Sequence, residues 1–149
     1  GGGTMPIAHA MWIHGNSVRI EYPDRMEGDT RRGGAYYKMM GSRLSKNWFH
    51  AAIPTALIVE GRRLRLDSVM LRFRTRGAAV TKVHVYDGEN QIASHEGLSL
   101  SSRDWLFERF AVPDPKPEIF WGVGISFEGE YDRSRERRID ISAAGADFL

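Results

Sequence analysis

Ser68-Val69-Met70-Leu71-Arg72-Phe73-Arg74 is the stretch that decides the fold class. Val69, Leu71 and Phe73 fall on one side of an extended chain, and Arg72 and Arg74 fall on the other. A period of two marks a β-strand with one dry and one wet face. The same alternation recurs at Val18/Ile20/Tyr22, Val83/Val85, Trp121/Val123/Ile125/Phe127 and Ile139/Ile141. No stretch sustains helical spacing. The chain is therefore expected to be all-β.

Working outward, strands are expected over 36–40, 47–53, 57–59, 80–86, 91–95, 105–112, 121–127 and 138–142, with 63–67 and 69–74 as one bent strand. Residues 8–22 form a strand pair or one bent strand, interrupted at Gly15-Asn16. Asp87-Gly88 is a hairpin signal between two alternating runs. Pro113-Asp114-Pro115-Lys116-Pro117 is a stiff extended connector, because proline fixes φ and removes a donor. The longest loop candidate is 23–34, and 143–149 reads as a short tail. About nine strands spaced in this way give an antiparallel two-sheet β-sandwich, jelly-roll-like in arrangement. Alternating βαβ units are absent, so a doubly wound sheet is not expected.

The 149 residues suit one domain over 5–149, large enough to bury its own core. Gly1-Gly2-Gly3-Thr4 reads as a remnant of expression rather than a signal peptide. There is no cysteine, which removes disulfides, thiolate nucleophiles and Cys-ligated metal centres. No run approaches the ~20 apolar residues of a membrane helix, so a soluble chain is expected, cytoplasmic or exported. Of 21 basic residues, 17 are Arg, against 19 acidic residues and a net charge of +2. Arg favours planar pairing with carboxylate or phosphate. A GC-rich coding sequence explains the bias without a partner, and the near balance of charge indicates no large nucleic-acid footprint.

Catalytic signatures are missing: no nucleophile elbow, no phosphate-binding glycine motif and no His-x-His pair are present. His84 and His95 flank the Asp87-Gly88 turn, and with Glu96 they allow a two-His, one-carboxylate site to be drawn. Two hairpin tips carry hard oxygen donors that make calcium the one cofactor to test. They are Asp87 and Glu89 at one tip, and Glu128, Glu130 and Asp132 at the other. Each supplies only part of a calcium shell, so ordinary solvated turns are the simpler reading. A pair of glycosidase carboxylates leaves no sequence signature.

Aromatic residues invite a carbohydrate reading, because the apolar faces of sugar rings stack on flat side chains. Trp12, Trp48 and Trp121 lie in apolar segments and are expected in the core. Trp105 is the tryptophan expected at the surface, with Tyr36, Tyr37 and Tyr131 near loops. Arg72 and Arg74 form a basic ladder beside them. These six are the expected ligand contacts. The same arginines also serve to blunt a sheet edge against aggregation.

The segments Trp48-Phe49-His50-Ala51-Ala52-Ile53-Pro54-Thr55, Val83-His84-Val85-Tyr86-Asp87-Gly88 and Trp121-Gly122-Val123-Gly124-Ile125-Ser126 resemble a group of small microbial β-sandwich proteins of unknown function. The resemblance runs over most of 5–148. It implies the fold and carries no activity with it. The leading expectation is a non-catalytic binding module for a surface glycan or other polymer. The alternatives are a self-assembling or partner-binding structural protein, built on Arg-rich faces meeting acidic loops, and a metal- or carboxylate-dependent enzyme.

Overall fold

The computed structural model describes residues 6–149, and the expression remnant expected at 1–4 lies outside them. The chain runs through β1 (His9–His14), β2 (Arg19–Ile20), β3 (Arg31–Arg32), β4 (Tyr37–Met40), β5 (Lys46–Ile53), β6 (Ile58–Val59) and β7 (Arg62–Arg63). It continues through β8 (Leu66–Arg76), β9 (Ala78–Asp87), β10 (Asn90–His95), β11 (Leu106–Ala111), β12 (Val123–Tyr131) and β13 (Arg138–Phe148). The two-residue β2 and β6 fall within expected strand segments, whereas β3, inside the expected loop 23–34, is too short to show a period.

Two antiparallel sheets form the sandwich. One has the order β11-β8-β13-β4-β3, with β1 beside the second half of β13; the other has the order β10-β9-β12-β5-β2. A small β6-β7 hairpin stands apart from both. The alternation in β8 does what its sequence requires: Val69, Leu71 and Phe73 are fully buried and Arg72 is exposed. Facing it from the other sheet are Phe49, Ile125 and Phe127, with Phe49 and Phe127 in tilted ring contact at 5.3 Å. Truncating one such buried phenylalanine to alanine costs about 3–5 kcal/mol.

Three expectations are corrected. The chain over 8–22 is not a pair within one sheet, because β1 joins the six-stranded sheet and β2 the five-stranded one. Gly15 makes the passage, pressed so close to the Ile141 carbonyl that a side chain there would overlap it. The expected tail at 143–149 is instead the second half of β13, the strand at the centre of the six-stranded sheet. Its Ala143, Gly145 and Asp147 point outward opposite Arg72, Met70 and Ser68, while Ala144, Ala146 and Phe148 are buried. The ring of Trp12, across from Gly145 on β1, lies in the space a Cβ would occupy. Finally, the tryptophans expected in the core reach the surface: Trp121 is 73% exposed and Trp12 is 41% exposed. Trp48 is half-buried on the outward face of β5, alternating with buried Phe49.

Candidate functional site

Each sheet turns one face to the core and one outward, so two faces are open to a ligand. On the five-stranded sheet, strand register lines up outward side chains in a row. His50 on β5 stands opposite Ser126 on β12, which stands opposite His84 on β9 and then Ser94 on β10; Arg19 on β2 completes the row beside His50. The next row is Ala52, Gly124, Tyr86 and Gln91. The middle strand thus offers Gly124 and Ser126 where its neighbours offer rings, with Glu128 one row further on, opposite Trp48 and Lys82 and hydrogen-bonded to Thr81. The result is a trough of about 280 Å³ lined by Glu21, Trp48, His50, His84, Tyr86 and Ser126. A Cβ at Gly124 would meet nothing closer than the Tyr86 Cβ at 3.9 Å, so the floor is open there.

Hydrogen bonds fix the walls. Glu21 lies 2.9 Å from Nε2 of His50 and Ser126 Oγ lies 2.7 Å from Nδ1. An ionised carboxylate only accepts, so Nε2 donates to Glu21; with the ring proton on Nε2, Nδ1 is placed to accept a hydrogen bond from the Ser126 hydroxyl. His84 Nε2 lies 2.6 Å from Glu96, which also accepts from Ser94 Oγ at 2.8 Å. The hydrogen bond from His84, aided by Ser94, holds the Glu96 carboxyl below its ordinary range. Glu21 is lowered too, chiefly by its hydrogen bond with Tyr22 and further by His50. Trp48 reaches across β12 to bring its ring 4.9 Å from that of His84. His84 in turn meets Tyr86 edge-on at 6.5 Å.

The outward face of the six-stranded sheet is built differently. Trp105, Arg74, Asp140, Lys38 and Arg31 follow one another across it, the last four in direct register. Four of the six expected ligand contacts meet here. The guanidinium of Arg74 lies 4.4 Å from the Trp105 ring centre and 4.9 Å from that of Tyr36, and that of Arg72 lies 4.8 Å from Trp105. Tyr36 meets Trp105 edge-on at 5.6 Å. Tyr37 and Tyr131, expected beside them, are core residues. The Tyr131 hydroxyl donates to the Met39 carbonyl, and burial raises its phenol above the ordinary value. Beneath this face Asp140 is fully buried and shares Oδ2 between Arg74 and Arg138, at 2.8 and 3.1 Å. Among the described residues, its Oδ1 and the Arg138 Nε have no hydrogen-bond partner.

The calcium candidates are committed to the protein itself. Asp87 is buried and accepts the backbone N–H groups of Phe120, Trp121 and Gly122 at 2.8–3.1 Å, which ties the loop before β12 to the β9 end. Glu128 accepts from Thr81, Glu130 pairs with Lys46, and Asp132 accepts from the Ser134 N–H. Glu89 is exposed at the turn and accepts from Asn90. His84 and His95 do not converge: they are one row apart with opposite facing, and His95 bonds to the Ala111 carbonyl instead. Among the described residues no three His, Asp or Glu side chains gather to hold a metal ion.

The trough residues were absent from the expected contacts. Their signal was parity: Trp48 and His50 alternate with Phe49 and Ala51, and His84 and Tyr86 alternate with Val83 and Val85.

A family described as a family of unknown function (DUF6623) matches residues 5–148. The chain belongs to this family. No curated protein matches it. Among solved structures, it is similar to a low-affinity xylan-binding module, CBM86, from Roseburia intestinalis, at 10% identity and TM-score 0.59, over 95% of this chain and 97% of that one. A lysine-to-alanine variant of the carbohydrate-binding module CBM29-2 is similar at 13% identity and TM-score 0.52, over 93% and 91%. The Stig cyclase Fisc from Fischerella sp. TAU is similar at 9% identity and TM-score 0.52, over 91% and 88%. At these identities the likeness is one of fold.

Proposed function

We propose that the protein is a non-catalytic glycan-recognition module and that the trough on the five-stranded sheet is its binding site. The observation that carries this is the floor of Gly124 and Ser126 between Trp48 with His50 and His84 with Tyr86. Small-ligand sites are concave, mostly apolar and supplied with a few placed polar groups, and their volumes start near ~300 Å³. The trough is at the small, polar end of that class: Trp48 and Tyr86 supply flat rings, and Glu21, His50, His84 and Ser126 supply the placed polar groups. Its rings offer flat apolar area to the C–H face of a sugar. Ser126 on the floor and Glu21, His50 and Glu96 at the borders stand to meet hydroxyl groups, each already oriented by a neighbour, so little ordering remains for the ligand to impose. The fold likeness to CBM86 and CBM29-2 is consistent with this reading.

The test is a glycan and polysaccharide array probed with the wild-type chain and with Trp48→Ala. Binding to a neutral glycan that drops about tenfold or more in the variant supports the proposal. A blank array, or binding indifferent to Trp48, overturns it.

A second reading has one observation in its favour. His50 with Glu21 and His84 with Glu96 are two imidazole–carboxylate pairs on a single trough, an arrangement able to move protons. Chemical turnover of a bound ligand, lost in His50→Ala and His84→Ala, is what that reading requires.

A further inference from the structure

The outward face of the six-stranded sheet is cationic beyond what its own carboxylates neutralise. Arg74 and Arg138 share the single buried Asp140, and Arg138 has Glu136 as a further partner. Among the described residues, Arg31, Lys38 and Arg72 have no carboxylate within 4.0 Å. Arg31 and Lys38 are direct cross-strand neighbours, a like-charge pair that is unfavourable unless something anionic lies over it. Arg31, Lys38 and Arg138 line a cavity of about 270 Å³ with Gly33, Gly34 and Tyr36. The two glycines leave that rim low. On the far side of Tyr36 stands Trp105; the Arg74 guanidinium lies over both rings and that of Arg72 over Trp105 alone.

We infer that this face is a second recognition surface, separate from the trough, for a linear acidic polysaccharide whose charges are carboxylates. The row Trp105, Arg74, Lys38, Arg31 runs across the strands. Neighbouring strands are about 4.8 Å apart, so these groups meet a polymer laid across the sheet at intervals of about 5–10 Å. Arg presents a planar fork that fits a carboxylate in bidentate fashion. The interleaved rings serve the sugar faces between charges. A nucleic acid is the poorer fit, because the whole chain carries a net charge of only +2 and its basic groups are interspersed with Asp140, Glu136 and Asp147.

The experiment titrates the protein with polygalacturonate, its methyl-esterified form, dextran sulfate and single-stranded DNA, at 20 and 200 mM NaCl. Two triple variants accompany the wild type. One is Arg31→Ala/Lys38→Ala/Arg72→Ala on this face. The other is Arg43→Ala/Arg62→Ala/Arg133→Ala, which removes the same charge from exposed positions elsewhere. The expected result is binding to polygalacturonate at low salt, weakened about tenfold at high salt and absent for the esterified polymer. The first variant loses about tenfold or more, while the second variant and Trp48→Ala keep wild-type affinity. Matching melting temperatures establish that both triple variants are folded. No binding, equal losses in the two triple variants, or equal binding to dextran sulfate and DNA each overturn the inference.

Discussion

The two outward faces are made by the same strand alternation and end up opposite in character. The difference lies in what the central strand of each sheet puts outward. On β12 it is Gly124 and Ser126, with Glu128 beyond them bound to Thr81, and the rings of Trp48, His84 and Tyr86 stand around a floor that is open at Gly124. On β13 it is Asp140, which fills its position and draws Arg74 and Arg138 over itself, and Gly145, whose space is taken by Trp12. A small residue at the centre of a sheet gives a trough only if no neighbour lies down in it. The aromatic residues differ accordingly. Those of the five-stranded sheet pack on one another and on imidazoles, whereas Trp105 and Tyr36 carry guanidinium groups.

The comparison extends to two buried carboxylates, and the largest effects are expected there. Asp140→Ala leaves half-buried Arg74 without a carboxylate and Arg138 with Glu136 alone, a loss of about 3 kcal/mol in denaturant-measured stability. It should weaken polygalacturonate binding while sparing the trough. Asp87 faces three neutral N–H groups rather than cations. Asp87→Asn keeps the size but loses acceptor capacity, for an expected cost of about 2 kcal/mol in the same measurement. A finding that Asp87→Asn costs more than Asp140→Ala would reverse the ranking of the two sheets.

Smaller effects separate the faces as surfaces. Trp48→Ala is expected to weaken a neutral glycan about tenfold, close to 1.4 kcal/mol, and Trp105→Ala to leave that affinity unchanged. Gly124→Leu should act like Trp48→Ala by filling the floor, with little loss of stability because the backbone there is ordinary and the space is open. Equal sensitivity of one ligand to both tryptophans would mean that the faces are not distinct.

The smallest effect is electrostatic. Glu96 is lowered by His84, so its titration followed by NMR should have a midpoint below the ordinary ~4.3 of glutamate. In His84→Ala it should move back up. A lowered carboxyl contributes stability that is present above its unfolded pKa and lost as pH falls through its folded one. The His84–Glu96 contact is therefore expected to support the wall at neutral pH and to fail only in acid.

Much of this architecture was legible in the residue pattern, and the rest was hidden for physical reasons. Val69, Leu71 and Phe73 against Arg72 and Arg74 announce a strand because large apolar and charged groups alternate. Ala143-Ala144-Gly145-Ala146 alternates as well, but small side chains carry almost no contrast, and only the ring of Trp12 above Gly145 reveals a central strand. The apolar segment around Trp48 points to the core, although the parity of Phe49, Ala51 and Ile53 turns Trp48 outward. The meeting of Tyr36 and Trp105 with Arg72 and Arg74 was anticipated as residue types. Tyr37 and Tyr131 are buried instead, because nearness to a loop in sequence does not fix which way a ring faces.

The central claim is that the trough of the five-stranded sheet takes a glycan. Amide chemical-shift mapping with the strongest neutral glycan from the array tests it most directly. The expected result is a set of perturbed resonances confined to Glu21, Trp48, His50, His84, Tyr86, Gly124 and Ser126. Shifts centred instead on Tyr36 and Trp105, or no shifts for any glycan, would contradict it.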